Sequence, residues 1–436
     1  MVFAINIFRT KRLKTDIKAL ITKQEETTMA DRIMDGIRVL DFTDFLAGPY
    51  LGMYFADMGA DVIKIENLRA GGNFTRNARP KDPNTGISMY WYNLNRGKRC
   101  VALDLKTDEG KELFAELLKS ADVLIENNRP GVMDRLGFGW EQASAINPRL
   151  IYASISGFGQ TGRNAYKPGY DLIAQAQGGA MSVTGWPDGE ATRSGLAVGD
   201  MFGALNAGIG ICASLYRREI TGKGNRIDVA LVDSIVSAME AKIMTYFNEN
   251  HKIYGRWGNK YSASSPYDSF SAKDTTFVIA SGTDKHWGML CEAMGHPEYK
   301  DDPRFCDTET RKKNDKYLRE VIHAWSADKT AAECVEIIDK AGVPAARIYN
   351  VEDVVTDPGI AVDREMIVKV KAPAAHPDAG EDGELTVVGS ALKMPLTPMQ
   401  YGQAAGDIGA DNDDIFKELG FSEEKLAELK EKHVIN

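Results

Sequence analysis

The chain has 436 residues, of which 43% are hydrophobic and 26% charged, and its formal net charge is −9 at pH 7. This length and composition suit one large or two ordinary globular domains. The negative charge argues against a general nucleic-acid binder, and no apolar run approaches the roughly 20 residues that cross a bilayer. We therefore expect a protein with neither nucleic-acid nor membrane partners.

The cysteine and histidine content indicates the cellular compartment. Five cysteines are scattered along the chain without a Cys-x-x-Cys motif, and the six histidines show no ligand-like spacing. This pattern is typical of a reduced, cytoplasmic protein that has neither a disulfide framework nor a zinc site. The sequence thus predicts a cytoplasmic location and no bound metal.

Residues 1–32 form an N-terminal extension that differs from the rest of the chain. Its apolar start, residues 1–8, is followed by the basic residues 9–14, which is the reverse of the order in an ordinary signal peptide. Met29 or Met34 could be the true start, which would leave the preceding residues as a dispensable arm. A short helix docked on the surface is the alternative.

From Gly36 onwards, patterns of strand and helix alternate. The predicted strands are residues 37–42, 62–65, 101–105, 123–125 and 150–155. Predicted helices span residues 50–58 and the amphipathic stretch that carries Leu113, Phe114, Leu117 and Leu118. This alternation favours the α/β class, with a Rossmann-like large domain in which helices cover a mostly parallel sheet.

The domain plan follows from a change in composition after residue 245. The large domain is assigned to residues 33–245, and the polar, irregular residues 246–266 are predicted to be a linker. Residues 267–345 are predicted to form a smaller α/β domain, with a strand at 276–280 and helices at 286–294, 317–327 and 331–341. Residues 346–436 return to the large domain and end in a helix near 423–432.

Asp171 is the most informative residue of the chain. It follows the turn formed by Pro168 and Gly169 and lies downstream of the glycine-rich residues 156–162. Glycine backbone allows a bulky ligand to approach closely, and a carboxylate presented beside it has the features of a nucleophile that attacks an activated acyl group. The alternative is a helix N-cap, in which the carboxylate accepts backbone N–H groups of the first turn, those of Ile173 and Ala174.

Two further patterns were weighed. Gly157, Gly159 and Gly162 have the spacing of a dinucleotide-binding loop, but Pro168 and Gly169 interrupt before the required helix could begin, so we expect no such site. Cations within the first β/α units could collect beside a phosphate-rich ligand, or they could form an ordinary solvated surface. These cations are Arg76, Arg79, Arg96, Lys98, Arg99, Lys106 and Arg135.

Six segments, taken in order, carry a family resemblance. They are residues 35–41, 47–49, 59–66, 95–99, 156–162 and 222–224. The chain resembles the class III CoA-transferases, the family of formyl-CoA transferase and of the carnitine and bile-acid CoA-transferases, from about Asp35 to its C-terminus. The resemblance implies an interlocked homodimer that has a coenzyme A thioester as substrate and no permanently bound cofactor.

The resemblance also implies an activity and a set of site residues. The expected reaction moves CoA from an acyl-CoA donor to a carboxylic acid acceptor through aspartyl anhydride and aspartyl-CoA thioester intermediates. Asp171 falls at the position of the family's catalytic aspartate. The positions implied for CoA binding are Asp44, Asn67, Arg76, Lys98, Arg99, Leu103, Lys106 and Arg135.

The identity of the acceptor is less clear from the sequence. Leu46 stands where oxalate-using formyl-CoA enzymes have a glutamine, whereas residues 149–158 and 184–188 resemble transferases of small dicarboxylates, which we favour. Two alternatives stay open. One is an α-methylacyl-CoA racemase-like enzyme, for which Gly199 and Asp200 match but Tyr170 replaces the expected histidine. The other is a catalytically inactive acyl-CoA-binding protein.

Overall fold

The structure, a computed structural model, describes residues 32–373, 376 and 383–436. The N-terminal extension predicted for residues 1–32 therefore lies, apart from Arg32, outside the described residues. The described chain divides into two compact units. The first contains the described residues up to Gly178, Gly195–Met239 and Asp357–Asn436, and the second contains Gly179–Ser194 and Glu240–Thr356.

The strands, numbered in chain order, are β1 (Arg38–Phe42), β2 (Asp61–Asn67), β3 (Arg99–Leu103), β4 (Val123–Glu126), β5 (Ile151–Ser156), β6 (Asn225–Ala230), β7 (Tyr267–Ser271), β8 (Thr276–Ala280), β9 (Ala345–Arg347), β10 (Ile367–Lys371) and β11 (Glu384–Val388). The helices are α1 (Ala47–Asp57), α2 (Met89–Asn95), α3 (Asp108–Ser120), α4 (Val132–Leu136), α5 (Trp140–Ile146), α6 (Asp171–Gln177), α7 (Ala180–Val183), α8 (Val198–Thr221), α9 (Leu231–Ala238), α10 (Ala241–Asn248), α11 (Asp284–Ala293), α12 (Thr308–Lys313), α13 (Asp315–Ser326), α14 (Ala331–Lys340), α15 (Val351–Thr356), α16 (Pro358–Ala361), α17 (Asn412–Glu418) and α18 (Glu423–Glu431).

A six-stranded parallel sheet forms the centre of the first unit. Its strand order is β3-β2-β1-β4-β5-β6, and every neighbouring pair is parallel. All residues of β4 and β5 are buried, as expected for parallel strands covered by helices on both faces. The predicted α/β class with a Rossmann-like large domain is thus confirmed.

One face of this sheet is closed by helices from both ends of the chain. Phe114 and Leu117 of α3 belong to a buried cluster that also contains Phe416 of α17 and Leu429 of α18. The C-terminal segment is anchored by backbone, since the N–H of Asp104 donates to the carbonyl of Val434 at 2.9 Å. This hydrogen bond joins the C-terminal segment to the residue that directly follows β3.

The helix α8, with 24 residues, was not predicted from the sequence. By length and composition alone, Val198–Thr221 is long and apolar enough to cross a membrane. The sequence analysis had expected no segment of this kind. The polar residues Asp200 and Asn206 interrupt the apolar residues of this helix, so a search for a continuous apolar run does not detect the helix. Within the first unit, α8 packs on α1 and α9 and on strands β5 and β6, but only 33% of its most apolar stretch is buried.

The second unit contains both strands and helices, and its bounds are wider than the residues 267–345 predicted for the small domain. Its three strands form an antiparallel sheet in the order β7-β8-β9. The helices α11, α13 and α14 contribute Trp287, Leu318 and Ile338 to a core with Phe277 of β8. The strand predicted at residues 276–280 coincides with β8.

Candidate active site

The strand order reverses between β1 and β4, which creates a crevice at their carboxyl ends. Open α/β sheets bind ligands at this kind of crevice. Asp44 follows β1, and its N–H donates to Oδ1 of Asn127, just after β4, at 2.8 Å. The Nδ2 of Asn127 donates back to the Asp44 carbonyl at 2.6 Å, so the two loops are tied to each other. Burial raises the pKa of the Asp44 side chain above its usual value.

Three more of the predicted CoA-binding residues lie at this carboxyl edge. Asn67 ends β2 opposite Leu103, which ends β3, and Lys106 follows a few residues later with an exposed side chain. The Nε of Arg69 donates to Asp104 Oδ2 at 2.6 Å and links the loops that follow the two strands. The side chain of Leu103 belongs to the hydrophobic core, so only its backbone is available here. Arg135, also exposed, lies on α4 after the end of β4.

Lys98 is held inside the protein instead. Its buried Nζ donates to Asp41 Oδ2 at 2.7 Å and to the Pro49 carbonyl and Asn95 Oδ1, both at 2.9 Å. Burial lowers the pKa of Lys98 to about 8, although Asp41 opposes the shift. Burial alone would raise the pKa of Asp41, but Lys98 and the equally buried Lys64 hold it below its usual value. Lys98 therefore has all its hydrogen bonds within the chain.

Arg76 and Arg99 are also engaged by carboxylates of the chain. Arg76 is buried, makes two hydrogen bonds of 2.7 Å to Glu66, and lies 3.9 Å from the ring centre of Trp91. Arg99 begins β3, at the amino edge of the sheet, and pairs there with Asp61 at 2.6 Å. These two members of the basic cluster therefore fit neither a shared phosphate-rich ligand nor a simple solvated surface, because carboxylates inside the protein already bind their guanidinium groups.

Asp171 is the first residue of α6, and the N-cap position belongs to Tyr170. The N–H of Ala174 donates to the Tyr170 carbonyl, so the helix-cap interpretation of the Asp171 side chain is wrong. Its half-buried carboxylate has other donors. Oδ1 accepts the N–H of Gly199 at 2.8 Å, and Oδ2 accepts Nε2 of Gln175 at 2.7 Å.

Two glycines set the position of the turn before Asp171. A Cβ atom on Gly157, just after β5, would lie 2.7 Å from the Cα of Gly169, and a Cβ on Gly169 would lie 2.8 Å from the Cα of Gly157. The two backbones can touch only because both residues lack a side chain. No helix begins between residues 157 and 162, so these glycines lack the helix N-terminus that a dinucleotide-binding loop places beside the pyrophosphate.

An aromatic contact connects this turn with the crevice. The ring of Tyr170 meets Phe45 edge-on with the ring centres 5.3 Å apart, and Phe45 directly follows Asp44. The backbone of Phe45 is left-handed, with φ of 63°, which is uncommon for a residue with a large side chain. The start of α6, which carries the predicted nucleophile, therefore lies beside the loop that contains the predicted CoA-binding residue Asp44.

Asp200 is the second carboxyl group beside Asp171. It is the third residue of α8, and burial, together with the nearby charge of Asp171, raises its pKa to about 7. Sequence analysis considered Asp200 only in connection with the racemase alternative. It missed Gln175, whose spacing of four residues from Asp171 on a predicted helix was the available signal.

A small cavity opens away from these residues. It measures about 70 Å³ and is lined by residues that include Glu126, Tyr152, Ser154 and Arg226, but neither Asp171 nor any predicted CoA-binding residue lines it. Burial raises the pKa of Glu126. Within the described ranges, no group of three His, Cys, Asp or Glu side chains is arranged to hold a metal ion.

Comparison with known proteins identifies the family. Residues 34–412 match CoA-transferase family III, so the chain belongs to the class III CoA-transferases and is an enzyme of that class. A crystal structure of a CAIB/BAIF family protein from Brucella suis matches with a TM-score of 0.79 and 33% identity, over 89% of this chain and 99% of the other.

Two relatives are similar over nearly their whole lengths. The succinyl-CoA:mesaconate CoA-transferase of Haloarcula hispanica is 40% identical, over 89% of this chain and 96% of the relative. The succinyl-CoA–D-citramalate CoA-transferase of Chloroflexus aurantiacus is 36% identical, over 93% and 98%. CoA transfer between acyl-CoA thioesters and carboxylic acids is thus the activity of this group of proteins.

Proposed function

We propose that this enzyme transfers CoA from succinyl-CoA to a small dicarboxylic acid, with Asp171 as the nucleophile. The observation that carries the proposal is the Asp171 carboxylate, which two donors hold beside the crevice loop that contains Asp44. The names of several relatives support the acid class, since they include mesaconate, D-citramalate, and succinate with glutarate.

The proposed reaction proceeds through the side chain of Asp171. Its carboxylate attacks the thioester carbon of succinyl-CoA, which gives a mixed anhydride and expels the CoA thiolate. The thiolate attacks the Asp171 carbonyl carbon, which releases succinate and leaves an aspartyl-CoA thioester. The acceptor carboxylate then opens this thioester, and the returning thiolate takes the acceptor acyl group from the second anhydride.

Lys106 and Arg135 are the proposed cationic contacts to CoA, together with Asn67, Asp44 and the backbone of Leu103. The two cations are exposed, and within the part of the chain that the structure describes neither pairs with a carboxylate, unlike Arg76, Lys98 and Arg99. Ammonium and guanidinium groups make charge-assisted hydrogen bonds to phosphate oxygens. The phosphates of CoA are therefore the part of the substrate that these side chains suit.

The proposed assembly is an interlocked homodimer. The support is an apolar stripe at helical spacing along α8, with exposed fractions of 69% at Ile209 and 74% at Tyr216. The stripe consists of Phe202, Leu205, Ile209, Tyr216 and Ile220. Exposed apolar patches of this kind mark association surfaces, and a second copy of the chain would cover it.

A panel of acceptors tests the proposed function. The enzyme is incubated with succinyl-CoA and, separately, with mesaconate, citramalate, glutarate, oxalate or a bile acid, and the CoA thioesters are separated by chromatography. We expect at least one four- to six-carbon dicarboxylate to form its CoA thioester. One molecule of succinate should be released for each molecule of this new thioester. Transfer to the bile acid alone would contradict the proposed acid class.

A racemase-like activity is the competing function, because Asp200 has a pKa suited to proton transfer. Proton exchange next to a thioester also needs a base on the other face of that carbon, and Tyr170 occupies the position where the resemblance requires histidine. We expect no deuterium uptake from D₂O into a 2-methylacyl-CoA under conditions that support CoA transfer. Rapid uptake without acceptor-dependent transfer would reverse the assignment.

A further inference from the structure

Both oxygens of the Asp171 carboxylate have a hydrogen-bond donor within the protein. Gln175, one helical turn later on α6, is fully buried and donates through Nε2 to Oδ2 at 2.7 Å. Gly199, the second residue of α8, donates its backbone N–H to Oδ1 at 2.8 Å. Hydrogen-bond donors on two helices, α6 and α8, therefore fix the plane of the Asp171 carboxylate.

The orientation of the Gln175 amide is set by its surroundings. Its Nε2 also donates to the carbonyl of Leu196 at 3.2 Å, so it serves two acceptors. Reversing the amide would place its oxygen against two other oxygens, neither of which can donate. Gln175 thus presents an N–H group, and not its oxygen, to Asp171.

The two oxygens differ in the kind of donor that holds them. A Cβ atom at position 199 would lie 3.1 Å from Asp171 Oδ1 and 3.2 Å from the Cβ of Ala174, so a residue without a side chain suits this close approach of backbone to Oδ1. Oδ2 instead faces the buried side-chain amide of Gln175. We therefore assign the attack on the substrate to Oδ1 and the oxygen that stays with the protein to Oδ2.

We propose that Gln175 positions the nucleophile and donates to the oxyanion that forms on Asp171 Oδ2. This inference rests on the proposed function, in which Asp171 itself becomes an acyl group. When the CoA thiolate or the acceptor carboxylate attacks its carbonyl carbon, the π electron pair moves to Oδ2. Collapse of this oxyanion restores the C=O bond and expels succinate or the CoA thiolate, respectively.

The donor required in these steps is already in place. A preorganised N–H group aimed at a developing oxyanion accelerates acyl transfer by about 100- to 1,000-fold. The first step differs, since its oxyanion forms on the thioester oxygen of the substrate. Loss of Gln175 is therefore expected to slow the discharge of the acylated enzyme more than its formation.

The test compares Gln175→Leu with Gln177→Leu, an exposed glutamine on the same helix. For Gln175→Leu we expect kcat with succinyl-CoA and mesaconate to fall about 100-fold, and KM for succinyl-CoA to stay within about threefold. Intact-protein mass spectrometry should show that the adduct formed from succinyl-CoA alone persists after mesaconate is added. The Gln177→Leu protein should behave like the unchanged enzyme.

A second variant, Gln175→Met, has nearly the same size and removes the N–H donor without adding a charge. We expect the adduct formed from succinyl-CoA to persist after mesaconate is added in this variant as well. This readout decides the inference even if Gln175→Leu does not fold. Discharge of the adduct as fast as in the unchanged enzyme would contradict it.

Two further outcomes would overturn the inference. One is a kcat within threefold of the unchanged enzyme in a folded, CoA-binding Gln175→Leu protein. The other is an equal slowing of adduct formation and adduct discharge, which would assign Gln175 a purely structural role. Failure of the unchanged enzyme to transfer CoA to any acid would instead reject the proposed function.

Discussion

The Asp171 side chain combines a fixed orientation with access to the crevice. Its two oxygens have one donor each, and the preceding Tyr170 contacts the loop that contains Asp44. A residue that served only as a helix cap would instead bind the N–H groups of its own first turn. The geometry therefore fits a reacting group better than a stabilising one.

Replacing Asp171 with alanine is expected to abolish CoA transfer while CoA binding persists. The change also removes the acceptor of the Gly199 N–H and of the buried Gln175, which should cost about 1–3 kcal/mol of stability. Transfer is followed by chromatography and CoA binding by calorimetry. In the unchanged enzyme, succinyl-CoA alone should give an adduct at Asp171 that hydroxylamine removes. Substantial turnover in the folded alanine variant would refute the assignment.

Lys106→Ala and Arg135→Ala are each expected to raise KM for succinyl-CoA and to weaken binding of free CoA about tenfold, with little change in kcat. The reason is that a phosphate contact is the same in the ground state and in the transition state. Lys119→Ala is the matched control, since Lys119 is an exposed lysine on α3 that pairs with Glu116. Unchanged CoA affinity in both variants would show that Lys106 and Arg135 belong to an ordinary solvated surface and do not bind CoA.

At the scale of elements, a buried group of charges joins the strands beneath the crevice. Asp41 of β1 pairs with Lys64 of β2 at 2.9 Å and with Lys98 at 2.7 Å, and all three side chains are inaccessible to solvent. Lys64 also donates to the carbonyl of Thr43, at the start of the loop that leads to Asp44. The group thus holds the crevice loop in place from below.

Asp41→Ala is expected to lower the free energy of unfolding by about 3–5 kcal/mol, because it leaves two cations buried without their carboxylate. Asp61→Ala is the matched control, since Asp61 pairs with Arg38 and Arg99 in a partly exposed position and should cost about 0–1 kcal/mol per pair. Urea unfolding measures both variants. Equal losses in the two variants would contradict the role assigned to the buried group.

The Asp41 carboxylate also gives this stability a pH dependence. The pKa of Asp41 in the folded protein is held below its value in the unfolded chain. The contribution of Asp41 to the free energy of unfolding is therefore complete above the unfolded-state pKa, and it is lost as the pH falls through the folded-state pKa. Acid unfolding should therefore begin at a higher pH in variants that retain Asp41 but lack Lys64. The pH midpoints of acid unfolding, compared between the unchanged protein and a variant without Lys64, test the direction of this change.

At the scale of the whole molecule, the apolar stripe of α8 is the surface assigned to the proposed homodimer. Ile209→Asp is expected to weaken the proposed homodimer, because it places a charge at the centre of the stripe. Sedimentation of the variant at several concentrations measures the change. Lys119→Asp alters an exposed charge on α3 and should leave assembly unchanged. A chain that is monomeric without any substitution would reject the dimer.

The sequence by itself determined the class of the fold and much of its first half. The strands β4 and β5 are buried on both faces, so their apolar runs are visible without knowledge of their neighbours. The strand β6 was not predicted, because it lies at an edge of the sheet and carries Asn225, Arg226 and Asp228. An edge strand has one open side and does not need a continuous apolar pattern.

The tertiary structure alone decided which charges are free and what holds the nucleophile. Lys98 and Lys106 look alike in the sequence, but only the fold brings Lys98 to Asp41, 57 residues away. Likewise the N–H of Gly199 reaches Asp171 across 28 residues. Local patterns follow from neighbouring residues, whereas these contacts depend on how distant segments pack, which no spacing in the sequence specifies.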